Sequence, residues 1–257
     1  MSTAIGMRAR AALEDAGELV ILWGRVVRSV GHRGHLIADV VEQIEQIGVR
    51  SLAVVVLTAI FSSLVMTVQF AVQLSRFGAK EYVGNVVAVS LVRELGPVLT
   101  ALMVGGRVGA GITAELGSMA VTEQIDAMRA MCADPIRRLV LPRVLAAAIA
   151  LPLLTMLADL LGVFAATLMA AFDTRVSLSF FYSSITSVVE ISDVVGGLIK
   201  TVFFGALIAL IACHRGLATR GGTQGVGSAT THTVVVTSIT TLITDFLLTK
   251  GLLAFGL

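Results

Sequence analysis

The chain has 257 residues, of which 56% are hydrophobic and 14% charged, and its mean hydropathy is +0.92. A soluble domain carries roughly 25% charge, so this composition excludes an ordinary water-soluble globule and points to a bilayer. A formal net charge of +2 without a basic run excludes a nucleic-acid binder, and two cysteines, Cys132 and Cys213, make no disulfide framework.

Residues 8–50 read as interfacial helices. Leu13, Val20 and Val27 recur every seven residues, as do Ala16, Trp23 and Val30, which makes one apolar stripe. Arg8, Glu14, Asp15, Glu18, Arg25 and Arg28 form its polar counterpart, a layout suited to the membrane interface. The alternative is a soluble packing helix. Arg25 and Arg28 break the apolar stretch, so it is no signal peptide. Gly31-His32-Arg33-Gly34 ends this helix. A second amphipathic stretch sets Ile37, Val40, Val41, Ile44 and Ile47 against Asp39, Glu42 and Glu45.

Five apolar runs follow, each long enough to reach the roughly 20 residues that span a bilayer. The first, 51–75, holds no charge. The second, 83–114, is interrupted by Arg93, Glu94 and Arg107. Residues 115–131 have helical spacing but are polar, and Asp134-Pro135 ends them. The third span, 139–172, exceeds the bilayer and must tilt, kink or project. Residues 173–192 form a loop that carries Phe180, Phe181 and Tyr182 for the interface. The fourth span is 194–213, a Gly/Thr-rich loop covers 214–229, and the fifth span is 230–255. The fold class is therefore an all-α integral membrane protein forming a single domain.

Lys and Arg set the orientation. Arg8 to Arg50 hold six of them, the 107–143 region five and the 214–229 loop two. Only Arg76, Lys80, Arg175 and Lys250 fall in the opposite segments. The excess places the N-terminus in the cytoplasm and, after five crossings, the C-terminus outside. No internal repeat is visible, which weighs against an inverted-repeat secondary transporter.

The stretch from Arg93 to Pro135 carries the chemistry: RELGPVLTALMVGGRVGAGITAELGSMAVTEQIDAMRAMCADP. Ionisable residues at membrane depth are kept for a pathway, a cavity or a partner. Arg93 and Glu94 neutralise each other only partly, because helix neighbours point about 100° apart. Gly96-Pro97 breaks the helix beside them and predicts a polar notch. A structural ion pair to another span is the alternative. Gly105 and Gly109 make a GxxxG spacing, read as close helix packing. No Gly-Lys-Ser/Thr loop follows, so any ATP is bound by another chain. Asp159, Lys200 and Asp245 are further candidates by depth, with structural pairing as the alternative. No nucleophile stands beside a base and no cluster has metal-ligand spacing. The sequence predicts neither a catalytic residue, nor a metal site, nor a cofactor of its own.

This stretch resembles the MlaE/YrbE family of ABC permeases. The family motif E-x-G-P-x-x-x-A-x-x-x-x-G-R-x-G-x-x-x-x-A-E-x-G-x-M-x-x-x-E-Q-x-D-A is met by Glu94, Gly96, Pro97, Ala101, Gly106, Arg107, Gly109, Ala114, Glu115, Gly117, Met119, Glu123, Gln124, Asp126 and Ala127. Asp134-Pro135, Arg137, Pro142-Arg143, Leu151-Pro152-Leu153, Ile199-Lys200, Thr230-Thr231 and Thr233-Val234-Val235 extend the resemblance over nearly the whole chain after residue 35. It implies a non-catalytic permease subunit in a bacterial inner membrane, moving phospholipids between the inner and outer membranes. It implies a homodimer, with a separate ATPase that binds ATP and magnesium and docks on a coupling helix at 115–131, with Glu115, Glu123, Gln124 and Asp126. It implies a periplasmic MCE-domain hexamer and, in some systems, a STAS-domain protein. The implied lipid cavity takes Arg93, Glu94 and Leu95, with Met66, Leu74 and Phe77 beside the acyl chains. His232 departs from the arginine common in relatives and receives no lipid role. The competing readings are a proton-coupled secondary transporter using Glu94 and a non-transporting membrane scaffold.

Overall fold

The computed structural model describes residues 17–29, 36–174 and 185–254, and every regular element among them is helical. Helix α1 covers 17–29. Leu36–Ile47 (α2) passes through one tighter turn, Val49–Ser51, into Leu52–Arg76 (α3). Then follow α4, Val83–Val121; the short α5, Gln124–Ala130; α6, Ile136–Phe172; α7, Ile191–Leu217; and α8, Gly222–Ala254. The α2–α3 rod, α4, α6, α7 and α8 are each long and apolar enough to cross a membrane.

Short turns between long helices make neighbours antiparallel. Residues 122–135 and 218–221 thus gather at one end, called here the near end, and the start of α3, which meets Arg107 of α4 through Ser51, lies on the same side of the body. Residues 77–82, the start of α7 and the end of α8 gather at the far end. α7 is the pillar: 61% of its most apolar stretch is buried, against 22% in the α2–α3 rod and 17% in α8. Phe204 and Ile208 of α7 share one core with Leu116 of α4 and with Leu141 and Leu151 of α6, and Ile211 is buried as well. Glycines permit this closeness. A methyl on Gly205 would run into the Ala147 carbonyl, and one on Gly216 would stand 2.7 Å from the Leu116 Cβ. A smaller core at the far end joins Ala71, Val83, Val87, Leu91, Ala166, Ala170 and Ile185.

The body is inside-out relative to a soluble protein. α8 buries Thr233, Thr237 and Thr241 while Val235, Ile239, Leu242, Phe246 and Leu247 are exposed. The threonines sit four residues apart on one face, and Thr237 bonds the carbonyl of Thr233 at 2.8 Å. Such back-bonding meets hydroxyl demand where no water is present. On α3 and α6, Leu57, Phe61, Val65, Leu153, Leu160 and Phe164 are likewise exposed.

The ends of several elements differ from the sequence expectation. α4 runs on to Val121 instead of stopping at 114. The expected single helix at 115–131 is therefore two pieces, the end of α4 and α5, split at Thr122-Glu123 where Glu123 has φ +60°. The expected loop 214–229 shrinks to 218–221, with Gly221 at φ +90° and Gly222 at φ +69° making the turn. In α1 the expected stripe residues Val20, Trp23 and Val27 are exposed, while Leu22 and Val26 are buried against the body. The stripe members Leu13, Ala16 and Val30, the Gly31–Gly34 break, Arg175, the aromatics Phe180, Phe181 and Tyr182, and Phe255 lie outside the described residues.

Candidate functional site

α4 is not a uniform α-helix. Leu91–Leu95 and Gly105–Gly109 are wide π-type turns, which insert a residue and re-aim the side chains beyond them. Pro97 follows the first. Lacking an N–H, Pro97 leaves the carbonyl four residues earlier, that of Arg93, without its helical donor. Lys200 of α7 supplies the donor: its Nζ lies 3.0 Å from the Arg93 oxygen.

Lys200 is the hub of a charged node. Its ammonium lies 2.9 Å from Glu94 Oε2 and 3.4 Å from Asp245 Oδ1. It also donates to Thr249 Oγ1 at 2.8 Å, and that hydroxyl donates to Glu94 Oε1 at 3.3 Å. Arg93 turns the other way and pairs with Asp193 at 3.3 Å. Asp193 also accepts the backbone N–H of Glu190 at 3.0 Å, closing a capping box at the start of α7. The Lys200 side chain is 4% exposed, whereas Arg93 and Glu94 remain 37% and 41% exposed. Both open onto a cavity of about 310 Å³ at the far end. Val89, Leu252 and Leu253 give that cavity an apolar wall opposite the charges. Charges that must lie within a membrane face one another and a cavity, and the node does both.

Asp159 of α6 occupies the other side of the same stretch of α4. Its Oδ1 is buried with no hydrogen-bond partner, and it sits so close that a methyl on Gly96 would collide with it. Thr58, Ser62 and Thr100 share a cavity of about 10 Å³ with it, room for at most one water.

The residues expected to line one lipid cavity divide between two faces. Arg93 and Glu94 face α7 and α8. Met66, Leu74 and Leu95 pack against the far-end apolar core between α3, α4 and α6. Phe77 is 82% exposed beyond the end of α3. Within one chain the six are not brought together. Of the depth candidates, Lys200 and Asp245 pair, while Asp159 does not. Asp193 and Thr249 belong to the node and were missed by sequence reasoning. Thr249 had a signal, since it continues the four-residue stripe Thr233, Thr237, Thr241, Asp245.

At the near end, Glu123, Gln124 and Asp126 are exposed, and buried Ile125 anchors α5. Asp126 is bonded by Arg129 at 2.9 Å. Glu115 instead holds the buried Arg143 of α6 at 2.7 Å. Non-glycine residues with positive φ are uncommon, and two of them, Glu123 and Cys132, bracket α5. Gly105 and Gly109 face Ile208 of α7 and Thr233 and Thr237 of α8, each with room for no more than van der Waals contact.

The sequence is similar to those of known proteins. The sequence pattern of the family described as permease MlaE matches residues 40–250. A probable ABC transporter permease protein of Rickettsia conorii is 38% identical over 250 residues, 97% of this chain and 96% of the relative. The intermembrane phospholipid transport system permease protein MlaE of Haemophilus influenzae is 37% identical over 246 residues, 95% of this chain and 93% of the relative. The chloroplastic protein Trigalactosyldiacylglycerol 1 of Arabidopsis thaliana is 38% identical over 212 residues, 82% of this chain and 61% of the relative. With its five long apolar helices, the chain thus belongs to the MlaE permease family and is the multi-pass inner-membrane permease component of an ABC transporter.

Proposed function

We propose that this permease moves phospholipids between the inner and outer membranes, driven by ATP that a separate ATPase binds with magnesium and hydrolyses. The carrying observation is that one helix, α4, holds both working parts. Arg93 and Glu94 open on the far-end cavity, and the same helix ends at the exposed Thr122-Glu123 turn and α5. A movement imposed on α5 by a docked partner is thereby conveyed to the cavity, with the two π-type turns as the places where α4 can yield. Left-handed Glu123 stores local strain of about 1–3 kcal/mol, which fits a rigid knob for docking. The name of the Haemophilus influenzae relative supports phospholipid as cargo.

In this reading Glu123, Gln124 and Asp126 meet the ATPase, and Glu115 braces the lever through Arg143. The near end faces the cytoplasm with the N-terminus, and the C-terminus is periplasmic. A second copy of the chain completes the lipid cavity, bringing Met66, Leu74, Phe77 and Leu95 to the acyl chains. An MCE-domain hexamer receives or delivers lipid at the far end, and a STAS-domain protein attends the ATPase. The chain itself performs no catalysis.

The test is co-expression with the neighbouring genes, purification in mild detergent and native mass spectrometry. A dimer carrying an ATPase and extractable phospholipid is expected. Charge reversal by Glu123→Lys or Asp126→Lys should remove the ATPase while leaving the dimer. Undiminished ATPase in both variants would refute the docking assignment, and a lone lipid-free chain would refute the transporter reading.

A further inference from the structure

We infer a phosphate-binding site at the near end, between α2 and α4, that takes the headgroup of a phospholipid in the adjacent leaflet. The site stands apart from the far-end cavity and does not depend on what cargo that cavity carries.

A groove of about 250 Å³ is lined by Gln43, Gln46, Arg50, Arg107, Gly111 and Glu115, over a floor of Ile47, Val108 and Ile112. Two guanidiniums therefore face one space. Among the described residues neither has a carboxylate within ion-pair distance, and the polar contact of Arg107 is a bond from Nη1 to Ser51 Oγ at 2.9 Å. Arg93, Arg129 and Arg143, by contrast, each hold a carboxylate. The single acidic group on the groove wall, Glu115, is drawn to Arg143 at 2.7 Å. The groove is left with two uncompensated positive charges.

Its depth identifies the source of the anion. α3 has 25 residues between Leu52 and Arg76 and rises ~37 Å, against an apolar bilayer core of about 30 Å. Arg50 and the Arg107–Ser51 contact lie where α3 begins, which a ~37 Å helix spanning the core sets level with the headgroups. The planar fork of arginine matches a phosphate bidentately. The Gln43 and Gln46 amides can donate to the remaining headgroup oxygens, and the apolar floor suits the glycerol end of the acyl chains. Gly111 leaves the backbone bare there, with nothing within 4 Å of an added methyl. Free phosphate offers the same oxyanion without the apolar part, which the floor argues against.

The experiment uses the full chain in nanodiscs doped with phosphatidylethanolamine carrying a diazirine on its amine. After illumination, peptide mass spectrometry maps the crosslinks. Crosslinks are expected on residues 43–50 and 107–115, falling at least fivefold in the Arg50→Gln/Arg107→Gln double variant and only partly in Arg50→Lys/Arg107→Lys. Crosslinks at the far end in the same molecules report that the variant is folded. Unchanged near-end crosslinking in the glutamine variant overturns the site. Its abolition by millimolar inorganic phosphate in the wild-type protein overturns the lipid source in favour of free phosphate. Loss of near-end crosslinks with ATPase co-purification intact, or the reverse, separates this site from the proposed transport function.

Discussion

The stretch 91–97 of α4 has an ionisable residue against each side, and the two sides follow opposite rules. On one, Lys200 meets Glu94, Asp245, Thr249 and the carbonyl freed by Pro97. On the other, Asp159 presses on Gly96 with an oxygen that nothing bonds. Removing Lys200 would take the counter-charge from Glu94 and the half-buried Asp245 and the donor from the Arg93 carbonyl. Asp159 would leave behind only space. Depth in the membrane marks both residues as costly, and only the partner list says which of them the fold depends on.

Substitutions sharpen the contrast. The largest effect is expected for Lys200→Met, which strands Glu94, Asp245 and the Arg93 carbonyl and costs about 3–5 kcal/mol. Thermal size-exclusion profiles should show a steep fall in stability, and adding Glu94→Gln with Asp245→Asn should return part of it. Next comes Gly96→Ala, whose methyl collides with the Asp159 carboxylate at a cost of about 1–3 kcal/mol. Asp159→Ala in the same chain should relieve it, because residues in contact are not additive; simple addition of the two losses would mean they do not touch. Glu94→Gln should cost about 1 kcal/mol, since Asp245 and Thr249 still hold Lys200. The smallest change is expected for Asp159→Asn, with no measurable loss of thermal stability. A loss there as large as that of Lys200→Met would break the comparison outright.

Much of this was legible in the sequence, and for physical reasons. Charge-free runs such as 51–75 announce membrane helices because lipid tolerates little else. Arg93, Glu94, Lys200 and Asp245 announced themselves one by one through their depth. Their pairing was hidden, because Lys200 and Arg93 lie 107 residues apart in the chain. The loop expected at 214–229 misled for a specific reason. Glycine and threonine mark loops in water, but in α8 Thr230 and Thr231 bond the Gly227 carbonyl at 2.7 and 3.1 Å and the helix continues. The split at Thr122-Glu123 carries neither glycine nor proline, so nothing local foretold a left-handed glutamate. Of the six residues expected at one cavity, Arg93 and Glu94 face α7 and α8 while Leu95 turns to the far-end core with Met66 and Leu74 of α3, because neighbours on a helix point about 100° apart.

The most direct test of the central claim is lipid movement itself. The permease is reconstituted with its co-purified ATPase in proteoliposomes, and the transfer of a fluorescent phospholipid to acceptor vesicles bearing the proposed MCE-domain partner is followed with and without ATP. Transfer that requires ATP, and that Glu123→Lys abolishes while the protein remains folded, is the predicted result. Transfer indifferent to ATP but driven by a proton gradient would contradict the account and restore the secondary-transporter reading.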